Sequence, residues 1–264
     1  MAKRIFQEKL KVIANKRISQ KYFQLTFASA KIASFIRPGQ FIEIKITDTV
    51  DPLLRRPLSV HQAGGNSLSV LCEIVGKGTQ ILSQKKTGEY LDIIGPLGNG
   101  FSLKTKLKAQ GARILVAGGI GVAPLVFLAE ELKQPHTKVL IGAKTKRNIL
   151  CQKEFKKIGC DVRIATDDGS AGFKGRVTGL LKQILLTTYL PAAIYACGPK
   201  PMLRELAYIC KDYKIPAEIS LEAHLSCGFG ACLGCAVNTK TGFQRVCLEG
   251  PVFKAEDLIL DDCF

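Results

Sequence analysis

Four cysteines near the C-terminus constrain this chain more than any other feature. They fall as Cys227-x4-Cys232-x2-Cys235-x11-Cys247, inside the string Ser226-Cys-Gly-Phe-Gly-Ala-Cys-Leu-Gly-Cys235. Four thiolates complete the coordination of a metal centre, and C-x4-C-x2-C with one distant cysteine is the plant-type spacing for a [2Fe–2S] cluster. Gly228, Gly230 and Gly234 lie between the ligands. A loop that wraps a cluster needs positive φ angles and backbone N–H groups close to sulfur, and glycine allows both. The block that carries them, 217–264, is too small to fold unaided, so a bound centre is expected to staple it. A one-electron centre there suggests a relay, and the rest of the chain is expected to contain what loads it.

Zinc also takes four cysteine ligands, but its sites usually pair two short knuckles, whereas three of these ligands share one glycine-rich loop. Iron–sulfur is therefore the reading of Cys227, Cys232, Cys235 and Cys247, with structural zinc as the alternative. The other six cysteines (Cys72, Cys151, Cys160, Cys197, Cys210 and Cys263) are scattered through apolar or helical stretches. They read as small buried hydrophobes in a reducing compartment, not as a disulfide framework.

A formal charge of +16 raises the question of a nucleic-acid partner, so its distribution matters. Residues 218–264 hold three basic and seven acidic side chains, and the basic surplus lies entirely in 1–217. There it is mostly lysine spread over strands and helices without aromatic interleaving, which argues for a solvated surface or a funnel for anionic dinucleotides and against nucleic acid. The opening residues run straight into a strand pattern, so no signal peptide is expected. The longest uncharged stretch, Ile114 to Ala129, is broken by three glycines and a proline and is too short to cross a bilayer comfortably. A cytoplasmic protein without a membrane partner is expected.

Length allows two domains with real cores plus a small appendage. Residues 1–105 show six short β-rich runs: Phe6–Ala14, Tyr22–Phe27, Gln40–Ile46, Leu58–His61, Leu68–Val75 and Tyr90–Ile94. Turn signals such as Pro38-Gly39 and Gly64-Gly65-Asn66 separate them, which predicts a small antiparallel barrel. In Gln40–Ile46 the alternation places Phe41, Glu43 and Lys45 on one side and Ile42, Ile44 and Ile46 on the other. Beyond the lysine-rich link Lys104–Gln110 the pattern changes. From 111 to 216 strand-like runs (Arg113–Ala117, Lys138–Lys144, Asp161–Asp167, Ala192–Cys197) alternate with helical ones (Pro124–Gln134, Arg147–Ile158, Val177–Thr187, Pro199–Tyr213). That alternation predicts a parallel sheet covered by helices on both faces. In 217–264 two short strands are expected near Ala236–Thr239 and Arg245–Leu248, and the chain closes through Pro251-Val-Phe253 to an acidic tail.

Four motifs carry further chemistry. Gly118-Gly-Ile-Gly-Val-Ala-Pro124 follows the first strand of the α/β region and opens a helix, where a pyrophosphate is favoured, although a structural turn has the same form. Arg55-Arg-Pro-Leu-Ser59 offers a fork for a diphosphate and a hydroxyl for a flavin ring, and Gly76-Lys-Gly-Thr79 a second anion cradle; a surface salt bridge and an ordinary turn are the bland readings. Cys197-Gly-Pro199 ends the fourth strand of the α/β region, at the end where ligands of such sheets sit.

Arg56-Pro-Leu-Ser59, Gly119-x-Gly-x-x-Pro124 and Cys197-Gly-Pro199, in that order, resemble the ferredoxin–NADP reductase superfamily. With Ser220-Leu-Glu222, the cysteine loop and Val246-Cys-Leu-Glu-Gly-Pro-Val-Phe253, the whole chain resembles the electron-transfer subunits of the NAD-dependent dihydroorotate dehydrogenases. The resemblance implies FAD in the barrel (1–105), NAD(H) as substrate on the α/β domain (111–216) and one [2Fe–2S] cluster in the tail (217–264). By position, Arg56, Pro57, Leu58 and Ser59 would hold the FAD diphosphate and ring, Leu71, Cys72 and Glu73 would line it, and Gly78 and Thr79 would add contacts. Leu58 stands where the wider superfamily often carries Tyr, which bears on ring stacking and not on flavin binding. Gly119, Gly121 and Cys197 would flank the nicotinamide nucleotide. The resemblance further implies an FMN-containing dihydroorotate dehydrogenase catalytic subunit as partner, in a heterotetramer of two of each, and no residue here that handles dihydroorotate itself. A related NAD(P)H–ferredoxin oxidoreductase or hydrogenase diaphorase subunit is the alternative. Its transhydrogenase branch commonly has Asp at the first cluster position, where this chain has Cys227. Lys144, Lys146 and Arg147 leave NADH against NADPH open.

Overall fold

The structure, a computed structural model, describes residues 4–103, 112–132, 137–187 and 191–261. The link Lys104–Gln110, the expected helix end at Gln134 and Cys263 lie outside the described residues.

Six antiparallel strands close the N-terminal barrel: β1 (Phe6–Arg17), β2 (Tyr22–Ala28), β3 (Phe41–Ile44), β4 (Arg56–Gly64), β5 (Ser67–Glu73) and β6 (Tyr90–Leu97), in the order β1-β2-β5-β4-β3-β6. Side chains alternate across each strand, so one set points inward. Val12, Phe23, Leu25, Phe27, Ile42, Ile44, Val60, Val70 and Ile93 fill that interior and are fully buried. Each such aliphatic or aromatic side chain contributes about 1.5–3 kcal/mol by leaving water. A short helix not expected from the sequence, α1 (Ala30–Phe35), packs Ile32 into the same core and is capped by Ser29, whose Oγ accepts from the Ile32 N–H at 3.1 Å. Helix α2 (Lys77–Ser83) packs Leu82 against the barrel.

The second unit is a seven-stranded sheet. Strands β7 (Arg113–Gly118), β8 (Lys138–Ala143), β9 (Asp161–Thr166), β10 (Phe173–Lys174), β11 (Ala193–Cys197) and β12 (Ala217–Ser220) run parallel in the order β10-β9-β8-β7-β11-β12. All six residues of β7 are buried, because helices cover both faces, as parallel sheets require. Ile114 and Val116 face α5 (Val177–Thr187) and α6 (Lys200–Asp212); Leu115 and Ala117 face α3 (Val122–Leu132) and α4 (Gln152–Ile158). The helix expected from Arg147 starts only at Gln152. A 3-10 turn at Lys146–Asn148 and a left-handed Cys151 (φ 56°) precede it.

Two strands of the C-terminal block belong to this sheet. β12 pairs with β11, and β15 (Val252–Lys254) pairs antiparallel with β12 at the sheet edge. Between them lie the cysteine loop and a hairpin, β13 (Ala236–Thr239) and β14 (Gly242–Arg245). The second hairpin strand sits earlier than the expected Arg245–Leu248. Thr239 pairs with Gly242 across a two-residue turn, and the Glu249 carboxylate takes the Arg245 N–H at 2.7 Å, which turns residues 246–249 away from the strand.

The units are joined through side chains. His61 on β4 is buried, and its Nδ1 lies 3.0 Å from the Ala123 carbonyl in the first turn of α3. A carbonyl only accepts, so the ring carries its proton on Nδ1. The Asn99 amide donates to the Leu248 and Glu249 carbonyls at 3.2 and 2.7 Å.

Candidate flavin, nucleotide and cluster sites

Strand β4 is half-buried from Arg56 to Ser59 and fully buried at Val60 and His61, so its first half faces an open side of the barrel. Arg56 donates to the Leu54 and Arg55 carbonyls at 2.7 and 3.3 Å, and its guanidinium lies against the Cα of Gly78 at the start of α2. The motifs Arg56–Ser59 and Gly76–Thr79, far apart in sequence, thus meet. Thr79 is buried; its hydroxyl accepts from the Val75 and Gly76 amides at 2.9 and 3.3 Å and fixes the turn that carries Gly78. On β5 the three expected residues divide. Leu71 packs with the α/β core, whereas Cys72 belongs to the barrel interior, where burial pushes its thiol far up. Cys72 therefore offers a ligand on the open side its backbone and not its sulfur.

In the sheet, β7 leads through α3 to β8 on one side, while β11 lies on the other. The carboxyl ends of β7 and β11 are thus the point where strand order reverses, the place where such sheets bind ligands. Gly119 and Gly121 follow β7, and Cys197 ends β11. A Cβ on Gly121 would collide with the Cys197 carbonyl, so only glycine lets these two turns meet. Cys197 is buried. Burial and the Glu222 charge push its thiol up to about 12, against a hydrogen bond with Ser220, its partner across β11 and β12. It is a neutral wall and not a thiolate nucleophile.

Two carboxyls absent from the sequence-derived site emerge here. Glu222, two residues beyond β12, has its proton affinity raised by burial and by Glu73 at the end of β5, so barrel and sheet each bring a carboxyl to the same cleft. The Ser220-Leu-Glu222 string was the available signal. Glu43 on β3 is 1 % exposed, and neither carboxyl oxygen has a hydrogen-bond partner. Burial raises its pKa to about 7; Arg55 and Arg56 oppose that rise and Cys227 adds to it. Alternation placed Glu43 on one side with Phe41, and that side of β3, outside the barrel, is covered.

The cover is the cysteine segment. Phe41 and Leu97 share a core with Cys235, Val246 and Cys247. The loop backbone turns through positive φ at Gly228 (77°), Gly230 (94°) and Leu233 (60°). The Ala231 N–H points at Cys227 Sγ at 3.3 Å, and the Cys247 N–H at Cys235 Sγ at 3.4 Å. Cys232 lies beside the Cys227 thiol, and Cys247 feels both Cys235 and Cys227. Burial works against ionisation of Cys227, but backbone hydrogen bonds from Cys232 and Phe229 outweigh it and lower the thiol to about 6. Burial and Cys235 push Cys247 up to about 12. Among the described residues no three His, Cys, Asp or Glu side chains converge as one ion's ligands would. Four thiols in one segment, two of them facing backbone amides, fit the donor set of a binuclear cluster, which would share them between two irons. Arg245 braces the loop from the hairpin, donating to the Gly230 carbonyl at 2.9 Å and to Glu249 at 3.0 Å.

A closed antiparallel barrel, a parallel sheet with its glycine turn at the switch point and a four-cysteine tail define a ferredoxin–NADP reductase-type oxidoreductase with an iron–sulfur centre. The structure of an NADH-dependent reduced ferredoxin–NADP oxidoreductase matches 96% of this chain and 90% of its own, with a TM-score of 0.84 and 29% identity. A ferredoxin–NADP+ reductase from Plasmodium falciparum shares the fold alone, at a TM-score of 0.62 and 16% identity over 77% of this chain and 90% of its own. Residues 115–207 match the oxidoreductase NAD-binding domain family, and 222–259 the iron–sulfur cluster binding domain of dihydroorotate dehydrogenase B. A dihydroorotate dehydrogenase B (NAD(+)) electron transfer subunit from Desulforamulus reducens is 42% identical over 94% of this chain and 97% of its own. One from Geobacillus kaustophilus is 39% identical over 97% and 100%. The chain belongs to this family of electron transfer subunits.

Proposed function

We infer that this chain carries electrons between NAD(H) and the catalytic subunit of a dihydroorotate dehydrogenase through FAD and one [2Fe–2S] cluster. The observation that carries the reading is the order of the sites. The nucleotide turns at β7 and β11 face the barrel from one side, and the cysteine loop covers the outer face of β3, the strand paired with β4 and its flavin motif. Bound flavin supplies the exchange between a two-electron hydride and single electrons, the only form in which an iron–sulfur centre takes charge.

Each residue then has a part. Arg56 holds the FAD diphosphate by a charge-assisted fork beside Gly78 and Thr79, while Pro57, Leu58 and Ser59 with Leu71, Cys72 and Glu73 border the ring. Gly119 and Gly121 let the dinucleotide approach the backbone, and Cys197 walls the nicotinamide. Cys227, Cys232, Cys235 and Cys247 ligate the cluster. The blocks 1–105, 111–216 and 217–264 divide this labour, although β12 and β15 build the third block into the sheet of the second.

The acceptor in this reading is a catalytic subunit with FMN, in a heterotetramer of two of each. Exposed Phe229, Leu233 and Phe243 on the cysteine segment support a docking face there. No helix among the described residues is long and apolar enough to cross a membrane. The unpaired thiols of the described cysteines fit a reducing, cytoplasmic setting. The likeness to the ferredoxin–NADP oxidoreductase favours a second reading with ferredoxin as acceptor. Co-purification with the catalytic subunit and NAD-linked orotate formation by the reconstituted pair support the first. Ferredoxin reduction without such a pair supports the second.

A further inference from the structure

Glu43 lies at the seam of two sites and is used by neither as so far described. Its side chain leaves the barrel wall on the same face as Phe41, opposite Ile42 and Ile44. Its strand neighbours across β4 and β6 are Pro57 and Ile94. The nearby cations are engaged: Arg55 pairs with Asp92 at 2.8 Å, and Arg56 donates to backbone carbonyls. What the carboxyl meets is the cysteine loop. A Cβ on Gly228 would lie 2.7 Å from Glu43 Cγ and from Oε1, so the loop's first turn rests directly on it. That turn is left-handed (φ 77°) and follows Cys227 immediately. A site needing only packing would carry an apolar side chain, because a buried polar group without a partner destabilises the fold.

We propose that Glu43 is a positioning residue for the iron–sulfur centre: it seats the cysteine loop on the flavin barrel and tunes the cluster's reduction potential from the barrel side. The inference rests on the cluster reading above. Charge, hydrogen bonding and solvent exclusion around the sulfurs are what set such potentials, and Glu43 brings a carboxyl and excludes water at the face where the loop meets the barrel. The step it tunes is addition of one electron to the oxidised cluster, with no atom transferred.

The test is an EPR-monitored redox titration of the purified flavin- and cluster-loaded chain, wild type against E43Q and E43L. E43Q keeps the shape of the side chain and is expected to retain the cluster. At a fixed potential its oxidised-to-reduced ratio should change on the order of tenfold, 59 mV for a one-electron couple. The flavin titration and flavin bleaching by NADH should stay within about twofold. E43L should shift the cluster at least as far, while the loaded protein melts no lower than wild type, because an unpartnered carboxyl has been removed. A wild-type cluster potential and EPR spectrum in both variants overturn the proposal, as does a shift confined to the flavin. Should wild type show stoichiometric zinc and no EPR signal on reduction, the cluster reading itself fails.

Discussion

Arg56 shows how one side chain is prepared for a ligand. Donation to the Leu54 and Arg55 carbonyls orients its fork without neutralising it, and Gly78 leaves room for it over α2. Arg56→Ala should lower FAD retention by about tenfold to a hundredfold, since hydrogen bonds to charged groups contribute about 1.5–3 kcal/mol. Flavin absorbance after gel filtration measures this, and undiminished flavin removes Arg56 from the site. Cys235 is buried among the residues that join loop and barrel. Cys235→Ser exchanges a soft ligand for a hard one, so the cluster should be lost or disturbed. NADH should still bleach the flavin in stopped flow, because the flavin and nucleotide motifs lie before residue 217. Electron delivery to the partner should stop. Wild-type NAD-linked turnover by a cluster-free variant with its partner would assign the cluster a structural role.

At the scale of elements, the contact between β4 and α3 decides whether the flavin side and the nucleotide side stay in register. Phe127 of α3 enters the barrel core, and His61 reaches back to the Ala123 carbonyl. Burial lowers the His61 pKa below its ordinary 6.5, partly offset by that hydrogen bond. In the unfolded chain the ring protonates at its ordinary value. The neutral folded ring therefore contributes stability that is complete above pH 6.5 and is lost as pH falls below it. Melting temperature should decline through that window, and His61→Gln should flatten the decline. An unchanged slope in the variant assigns the acid sensitivity to other groups. The sheet shows the same dependence on neighbours: β12 and β15 are strands because β11 offers an edge that β12 extends, not because their short sequences demand it.

For the whole molecule, the acidic C-terminal block and the basic remainder divide the surface. The cysteine segment keeps Phe243 79 % exposed and Leu233 62 % exposed. Isolated exposed apolar groups are ordinary, but three on the segment proposed to pass electrons on read as a contact face. Phe243→Glu should therefore weaken binding of the catalytic subunit and slow NAD-linked turnover. FAD content, iron content and NADH-driven flavin bleaching should stay at wild-type values. Equal affinity for the partner, measured by titration calorimetry, moves the interface elsewhere.

Periodicity and spacing determined a large part of this protein. β-rich runs between turn signals marked the six barrel strands, the α5 boundaries at Val177 and Thr187 follow the helical pattern, and the cysteine spacing pointed to a binuclear centre. Those features are local: each is encoded within a short run of sequence, the longest from Cys227 to Cys247. What only tertiary structure decided is where separate segments meet. Glu43 reads only as a member of one strand face, with Phe41 and Lys45, until the cysteine loop, some 180 positions later, is laid over β3. Gly121 reads as one glycine among several until the Cys197 carbonyl fills the space where a Cβ would stand. Burial is a property of what folds over a residue, and a strand's own alternation carries no information about that.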